Sequence, residues 1–344
     1  MKELEYELLN LAFLFLASGQ SVDYFTGFIE TFEKKEAIPK GTYFDKSFTM
    51  QKKIRNLYPE WTNYLNRSNY NLIMTNDMDS LLSCMFLKHH FGLEINSFYS
   101  FYKMSKINLM DQREPIGVDC ALKENKCFDN HMVRLDEFSY INVQSANINN
   151  VSGVHRERYT DKFAMSTLIQ LYAIYDIPLP ETIQGKMIIL CCDVGFKGYY
   201  DERYRDTFLS YLEKFEMMEL VEILEAYTID DMYWFMLRAE MDINIRLNQS
   251  GKNKDKLSFE SSGNNPDLDA RLADKINLDW YSEHLGFPVD LPEASFETVE
   301  KFTASTIEWH ELNTKRLERA FSYAFINKRK IMISERKESH HETT

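Results

Sequence analysis

Two aspartates stand two residues apart at the point where a short apolar run gives way to a helical pattern. The run occupies 72–74, the aspartates are Asp77 and Asp79, and an apolar helical face begins at Leu81. In an open α/β sheet, a strand-to-helix turn of this kind lies at the carboxyl end of a strand, where ligands bind. Carboxylates this close repel each other unless a cation lies between them, and hard divalent cations prefer oxygen ligands. The turn therefore predicts a divalent-cation site, with an ordinary surface turn as the alternative for an Asp-x-Asp pair taken alone.

Three apolar runs further along the chain also lead into acidic residues. The run PIGVDC contains Asp119, KCFDNHM contains Asp129 and His131, and MIILCCDVGF contains Asp193. Each run has the apolar character of a buried strand. If the strands are parallel, their carboxyl ends meet at one edge of the sheet, where the carboxylates converge. A purely structural α/β protein would leave this ordered series of aspartates unexplained.

The elements that must position these residues alternate between strand and helix from 71 to 200, as parallel α/β folds do. Glu94–Met104 is rich in aromatic residues and predicts the second strand, while Lys186–Cys192 is predicted as the strand that delivers Asp193. Ala164–Ile177 predicts a helix between them. The predicted fold class is therefore α/β, a parallel sheet flanked by helices.

This series of motifs resembles that of the DHH phosphoesterase superfamily. Its members include RecJ-like exonucleases, nano-RNases, cyclic-dinucleotide phosphodiesterases, family II pyrophosphatases and an exopolyphosphatase. The superfamily has an Asp-x-Asp turn, a lone Asp after a strand, an Asp-His-His signature, and a later Asp that a glycine often follows. The corresponding residues here are Asp77 and Asp79, Asp119, Asp129-Asn130-His131, and Asp193-Val194-Gly195-Phe196. The resemblance covers residues 70–200.

The resemblance implies a metal-dependent hydrolase that cleaves phosphodiester or phosphoanhydride bonds of a nucleotide, a short oligonucleotide or a single-stranded nucleic-acid end. The implied cofactor is Mn²⁺ or Mg²⁺, which lowers the pKa of a coordinated water. The implied catalytic residues are His131 and Asp129, with Asp129 orienting the imidazole. The implied metal ligands are Asp77, Asp79, Asp119, Asp193 and His131.

A further group of residues is predicted to contact the substrate phosphate. His155, Arg156 and Arg158 come just before the predicted helix, and cationic side chains bind phosphate through charge-assisted hydrogen bonds. An ordinary solvated helix start is the alternative for this segment. Asn130, within the signature, is the fourth predicted substrate contact.

Two positions depart from the superfamily pattern. A histidine usually stands four residues before the first Asp of the pair, where this chain has Ile73, and the first His of the signature is Asn130. A side-chain amide is a weaker metal ligand than an imidazole, and isoleucine offers no lone pair. The alternative hypothesis is therefore a catalytically degenerate member that acts as a nucleotide- or protein-binding module.

Composition divides the chain into five predicted segments. Between 201 and 242 there are twelve acidic residues against four basic ones, interleaved with apolar positions at helical spacing. Further on, Glu297–Phe321 is predicted as helix and Ala324–Ser334 as a strand pair. The predicted organisation is a helical segment at 1–60, a DHH-like catalytic domain at 61–200, an acidic helical linker at 201–248, a smaller C-terminal α+β substrate domain at 249–334 and a disordered tail at 335–344.

The composition of the 344-residue chain sets limits on its partners. A net charge of −13 disfavours binding of long nucleic-acid tracts, but it is compatible with a phosphorylated small molecule or a short nucleic acid held through a metal. The longest apolar stretch, Leu8–Ala17, is too short for a membrane span, which needs about 20 residues. Five cysteines, an odd number, and the lack of a secretory signal predict reduced thiols in a cytoplasmic protein. A homodimer is compatible with these limits.

Overall fold

The computed structural model describes residues 50–261 and 276–337, and the predicted helices within 1–49 and most of the predicted tail lie outside them. The described part is an α/β protein built on a nine-stranded mixed sheet, with a separate antiparallel two-stranded sheet within 243–261. The strands in chain order are β1 (Tyr70–Met74), β2 (Ile95–Tyr99), β3 (Lys103–Lys106), β4 (Glu114–Val118), β5 (Cys127–Phe128), β6 (Ser145–Ala146), β7 (Ile243–Leu247), β8 (Leu257–Ser261), β9 (Glu297–Glu308), β10 (Ala320–Phe325) and β11 (Lys330–Arg336).

The helices pack against the parallel part of the sheet and against one another. The helix at 78–91 contacts β1, β4 and the helix at 167–175, and the helix at 183–191 contacts the helices at 219–226, 229–238 and 278–285. The α-helices are α1 (Lys52–Arg55), α2 (Met78–Phe91), α3 (Ile148–Val151), α4 (Thr167–Tyr175), α5 (Ile183–Cys191), α6 (Lys197–Tyr200), α7 (Arg205–Lys214), α8 (Glu219–Ala226), α9 (Ile229–Arg238), α10 (Leu278–Leu285) and α11 (Thr314–Arg319). Short 3₁₀ helices span Glu60–Asn63, Arg156–Asp161 and Trp309–Glu311.

Five strands form the parallel part of the sheet, in the order β2-β1-β4-β5-β6. In β1, residues 71–74 are all buried. A continuous apolar run, rather than an alternating one, suits a strand that is covered on both faces. Because these strands run parallel, their carboxyl ends face one edge of the sheet. Asp119 and Asp129 follow β4 and β5 directly at this edge.

The remaining strands continue the sheet in antiparallel fashion and curl it strongly into a half-barrel, in the order β10-β11-β9-β3-β2. At the far edge, β10 returns to the parallel part. Tyr323 N donates to Ala121 O at 3.1 Å, and Lys123 N donates to Phe321 O at 3.0 Å. β10 therefore holds the segment that follows Asp119.

Several sequence predictions are confirmed by these elements. The protein is α/β with a partly parallel sheet. The predicted helix Ala164–Ile177 contains α4, and the predicted strand pair Ala324–Ser334 is formed by β10 and β11. The acidic stretch 201–242 is largely helical, with α7, α8 and α9.

The predicted strand Lys186–Cys192 is wrong, because this stretch belongs to helix α5. Thr182 Oγ1 accepts a hydrogen bond from Gly185 N at 3.0 Å and caps the helix at its start. Residues 187–191 are all buried, so that the helix has no polar face over this stretch. A short apolar run of this kind does not distinguish a buried helix from a buried strand.

The predicted helix Glu297–Phe321 is also wrong. The structure has the long strand β9 here, followed by a 3₁₀ turn, the short helix α11 and the start of β10. β9 is rich in threonine and other β-branched residues and pairs with β3 on one side and β11 on the other. Three strands that fall within the predicted C-terminal domain, β9, β10 and β11, thus belong to the main sheet.

Candidate metal centre

Asp77 lies in the turn after β1 and begins α2. Its Oδ1 accepts a hydrogen bond from Ser80 N at 2.9 Å, which caps the helix. The turn is tied to the neighbouring strand, because Ser80 Oγ accepts from Thr75 N at 2.7 Å and donates to Val118 O at 2.8 Å. These bonds hold the half-buried Asp77 carboxylate at the carboxyl edge of the sheet.

Asp79 is buried and accepts hydrogen bonds on both carboxylate oxygens. Oδ2 accepts from Thr167 N at 2.6 Å and Oδ1 accepts from Leu168 N at 3.0 Å, so that the carboxylate binds the first amides of α4. Ser83 Oγ donates to Oδ1 at 3.2 Å, and the Cys192 thiol lies 3.6 Å from the same atom. The helix N-terminus favours a negative charge at this position.

Asp119 directly follows β4 and has a left-handed backbone conformation, with φ of 54°. Its Oδ1 accepts a hydrogen bond from Thr167 Oγ1 at 2.9 Å. Thr167 therefore contacts two of the carboxylates, Asp79 through its backbone amide and Asp119 through its hydroxyl. This residue fixes the distance between α4 and the end of β4.

Asp129 directly follows β5 and holds His131 by a hydrogen bond. Asp129 Oδ1 lies 2.7 Å from His131 Nδ1, while Asp129 Oδ2 accepts from Asn147 Nδ2 at 2.8 Å. Asn147 also donates to the His131 carbonyl at 2.7 Å. The His131 side chain is 38% exposed and that of Asp129 is 1% exposed, so that solvent reaches the imidazole.

Asp119, Asp129 and His131 form a group that could hold a metal ion. One ligand atom from each residue lies within 4.8 Å of the others, and His131 Nδ1 is 3.8 Å from Asp119 Oδ1. Two carboxylates and an imidazole are donors that suit several divalent cations. Asp119 and His131 are among the sequence-predicted ligands. Asp129, predicted to act from behind the imidazole, belongs to the metal-capable group itself.

The other predicted ligands share the electrostatic environment of this group. Burial, followed by the charges of Asp193 and Asp77, raises the pKa of Asp79 to about 7. Burial also raises the pKa of Asp119 well above its usual value, with further contributions from Asp79, Asp77, Asp193 and Asp129. Asp193 is exposed, but the protein atoms around it desolvate it, and its pKa is raised to about 6. The carboxylates repel one another, and a bound cation would relieve this repulsion.

The protonation of His131 responds to the same charges in the opposite sense. Burial lowers its pKa, but the charge of Asp129, the hydrogen bond with it and the charge of Asp193 together raise the pKa to about 9. Without a metal, the imidazole is therefore held as a cation at neutral pH. A metal ion at this position would compete with that proton.

The two positions that depart from the superfamily pattern have defined partners. Ile73 is buried in an apolar cluster that includes Tyr99 and Phe302. The Asn130 side-chain amide donates to the Met165 carbonyl. An imidazole in place of Ile73 would enter an apolar environment, and Asn130 serves to join the signature to the start of α4.

The predicted substrate contacts at 155–158 differ in their surroundings. The Arg156 guanidinium stacks on Trp309, with Cζ 3.9 Å from the ring centroid, and pairs with Glu157. Arg158 Nε pairs with the exposed carboxylate of Asp161 at 2.9 Å. His155 Nδ1 is buried and has no hydrogen-bond partner within the described ranges. Whether these residues contact a substrate stays a prediction.

Several residues of the site were missed by the sequence reasoning. Thr167 and Asn147 hold the carboxylates, and Asn149 joins the loop of the signature to the segment before α4. A signal for Thr167 exists in its position directly after Ser166, which caps the helix. The signal for the amides is the cluster of three asparagines at 147, 149 and 150, because an asparagine side chain can both donate and accept hydrogen bonds.

Comparisons of this chain with protein-family models, with characterised proteins and with solved structures find no match. The resemblance to the DHH superfamily therefore depends on the motifs and their order. Within 50–261 and 276–337, none of the helices has the length and apolar character required to span a membrane.

Proposed function

We propose that this chain is a diverged, DHH-like, metal-dependent phosphoesterase. The observation that carries the proposal is the group of Asp119, Asp129 and His131, whose ligand atoms lie within 4.8 Å of one another. Asp77, Asp79 and Asp193, from the segments after β1 and α5, contribute to the raised pKa of Asp119. The mutual repulsion of these carboxylates is a cost that an occupied cation site would offset. The order of the motifs along the chain supports the same assignment.

The residues divide into those that hold the ion and those that position its ligands. Asp77, Asp119, Asp193 and His131 would hold the cation, and Asp129 either binds it or orients His131. The chemistry that Mn²⁺ or Mg²⁺ supplies is neutralisation of phosphate charge and a lower pKa for coordinated water. Asp79, also predicted as a ligand, already accepts hydrogen bonds on both oxygens, so that in this proposal it mainly fixes α4.

The exposure of the cluster suggests how a substrate approaches. Asp79, Asp119 and Asp129 are buried, whereas His131 and Asp193 are accessible to solvent. A phosphate group would approach from the side of His131 and Asp193. We propose that it belongs to a nucleotide, a short oligonucleotide or the end of a single strand.

The test measures product release from cyclic dinucleotides, dinucleotides, single-stranded oligonucleotides and polyphosphate, with and without Mn²⁺. We expect the wild type to cleave at least one substrate with Mn²⁺ and to lose this activity in chelator. Asp119→Asn should lower the rate by about 100-fold, because it removes a ligand charge. Asp279→Asn, at an exposed position of α10, is the matched control and should retain the activity.

A degenerate binding module is the second candidate function. It is favoured by Ile73, which packs among apolar side chains, and by Asn130, whose amide is engaged with Met165. If the wild type binds one of the substrates but cleaves none at any Mn²⁺ concentration, the binding module replaces the enzyme. If calorimetry detects no Mn²⁺ binding, the metal-dependent proposal is withdrawn.

A further inference from the structure

A basic segment, residues 155–162, runs alongside the loop that carries His131. Asn149 Nδ2 donates to Asn130 O at 2.6 Å and to Phe163 O at 2.9 Å, and Asn149 Oδ1 accepts from Phe163 N at 2.7 Å. One asparagine thus joins the backbone next to His131 to the backbone next to Lys162. A second hydrogen bond lies further from the site. Arg156 N, at the start of the 3₁₀ helix Arg156–Asp161, donates to Arg134 O at 3.0 Å.

The cations of this segment are not equally available to a ligand. Arg156 is mostly buried, pairs with Glu157 and stacks on an aromatic ring, and Arg158 pairs with Asp161. Lys162 forms no ion pair with any carboxylate in the part of the chain that the structure describes. Its Nζ lies 5.0 Å from the centroid of the Tyr159 ring, and the side chain is half-buried. A cation over a ring face keeps its charge free for an anion.

The charge of Lys162 also acts on two ionisable side chains of the cluster. Its charge lowers the pKa of both His131 and Asp193, against the larger effects that raise them. These two side chains are the accessible members of the cluster. Lys162 directly precedes the backbone that Asn149 joins to the loop of His131, and no carboxylate of the described residues pairs with its ammonium group.

We propose that Lys162 forms an anion subsite beside His131 that receives the non-bridging oxygens of a substrate phosphate. The inference deepens the proposed function and rests on it for the substrate class. An acidic cluster repels a phosphodiester or phosphomonoester, and a fixed ammonium beside it offsets this repulsion and orients the group toward His131. The sequence-predicted contacts Arg156 and Arg158 then serve to hold the segment in place.

The test uses equilibrium binding of adenosine 5′-monophosphate in the presence of Mg²⁺, with adenosine as the uncharged comparison. We expect Lys162→Gln to weaken binding of the monophosphate by about tenfold or more, because it loses a charge-assisted hydrogen bond. Lys162→Arg should restore most of the affinity. Lys214→Gln is the matched control, since Lys214 is also half-buried with its Nζ 4.3 Å from a tyrosine ring centroid.

Three results would overturn the subsite: no binding of the monophosphate by the wild type, equal binding by Lys162→Gln, or equal weakening in Lys214→Gln. Binding does not require turnover, so the subsite and the proposed function fail separately. If the wild type binds through Lys162 but hydrolyses nothing, the subsite stands and the phosphoesterase does not. If it hydrolyses a substrate and Lys162→Gln leaves the KM unchanged, the phosphoesterase stands and the subsite does not.

Discussion

Apart from the bond between Asp129 and His131, the buried carboxylates of the cluster accept hydrogen bonds from neutral donors rather than from arginine or lysine. Thr167 donates to Asp79 and Asp119, and Asn147 donates to Asp129. Neutral donors position a carboxylate without neutralising it, so that its charge remains available for a cation. Among single residues, Thr167 and Asn147 therefore have the clearest positioning roles.

We expect Thr167→Val to weaken Mn²⁺ binding by about tenfold, because the Asp119 carboxylate loses the hydroxyl that orients it. The free energy of unfolding should fall by about 1 kcal/mol, the typical contribution of such a hydrogen bond. Calorimetric titration and urea denaturation measure the two effects. Thr167→Ser keeps the hydroxyl and should retain the Mn²⁺ affinity. Equal Mn²⁺ affinity in Thr167→Val and the wild type would show that this bond does not position the ligand.

Two helices direct their N-terminal ends at the cluster. Asp77 caps α2, and Asp79 accepts hydrogen bonds from the first amides of α4. The partial positive charge of a helix N-terminus stabilises a nearby carboxylate, and here two helices act on two aspartates that lie two residues apart. The N-termini of α2 and α4 thus offset part of the electrostatic free energy required to place several carboxylates together.

Asp77 caps helix α2 and, in the proposed function, binds the cation, and substitutions separate these two roles. Asp77→Asn keeps an oxygen for Ser80 N but removes the charge, so that the metal-free stability should stay within about 0.5 kcal/mol of the wild type or exceed it. The rise in Tm caused by Mn²⁺ should be largely lost. Asp77→Ala also loses the cap, which costs about 1 kcal/mol. Differential scanning calorimetry measures both quantities.

Thr228→Ala provides the control, because Thr228 caps α9 through Asp231 N at 3.2 Å. It should lower stability by about 1 kcal/mol and keep the full Mn²⁺-induced rise in Tm. An undiminished Mn²⁺ effect in Asp77→Asn would exclude this carboxylate from the metal site.

Gly195 lies where the turn after α5 approaches the segment before α4. A Cβ at this position would come within 2.6 Å of Met165 Cα and 2.9 Å of Ala164 O, both backbone atoms. We expect Gly195→Ala to lower the free energy of unfolding by about 2 kcal/mol and to displace Asp193. In Gly198→Ala the nearest atom is Phe208 Cδ2 at 3.1 Å, on a side chain, so its effect should be much smaller. Urea denaturation of both variants is the measurement, and similar stabilities would argue against this close approach.

At the scale of the whole molecule, the curled sheet brings β10 to the segment that follows Asp119. β10 accepts from and donates to the backbone at 121–123, immediately after Asp119. The chain has a net charge of −13, and part of its negative charge lies in the cluster of carboxylates at one edge of the sheet. Fold stability and the charge state of the cluster are consequently linked.

We expect the metal-free protein to lose stability as pH rises from about 5 to about 8. Asp79, with a pKa of about 7, and Asp193, with a pKa of about 6, have folded-state values above those of the unfolded chain, as does His131 at about 9. A group whose pKa is raised on folding stabilises the folded state at pH values below its unfolded-state pKa. This stabilisation is lost as the pH rises through its folded-state pKa. Urea denaturation in chelator across this range gives the profile.

Asp79→Asn removes one of the titrating groups and should show a shallower decline, whereas Asp279→Asn should decline as the wild type does. Saturating Mn²⁺ should flatten the wild-type profile, because the cation takes the place of the protons. A metal-free stability that rises over the same pH range would contradict the raised pKa values of the cluster.

The sequence by itself determined the local features of the site. The apolar run of β1, the turn with Asp77 and Asp79, the helix around α4 and the aspartates after β4 and β5 were all predicted from patterns within a few residues. Such features depend on local periodicity, capping and turn chemistry, which neighbouring residues express directly.

Only the tertiary structure decided how distant segments meet. The apolar run before Asp193 became a helix, and Glu297–Glu308 became a strand, because packing partners on both sides settle what a short run cannot. The bonds from Thr167 and Leu168 to Asp79 join residues 88 and 89 positions apart, and Asn149 joins the backbone at Phe163, next to Lys162, to the loop of His131. A contact across such separations depends on the geometry of the whole sheet, and no pattern confined to one segment of the sequence specifies it.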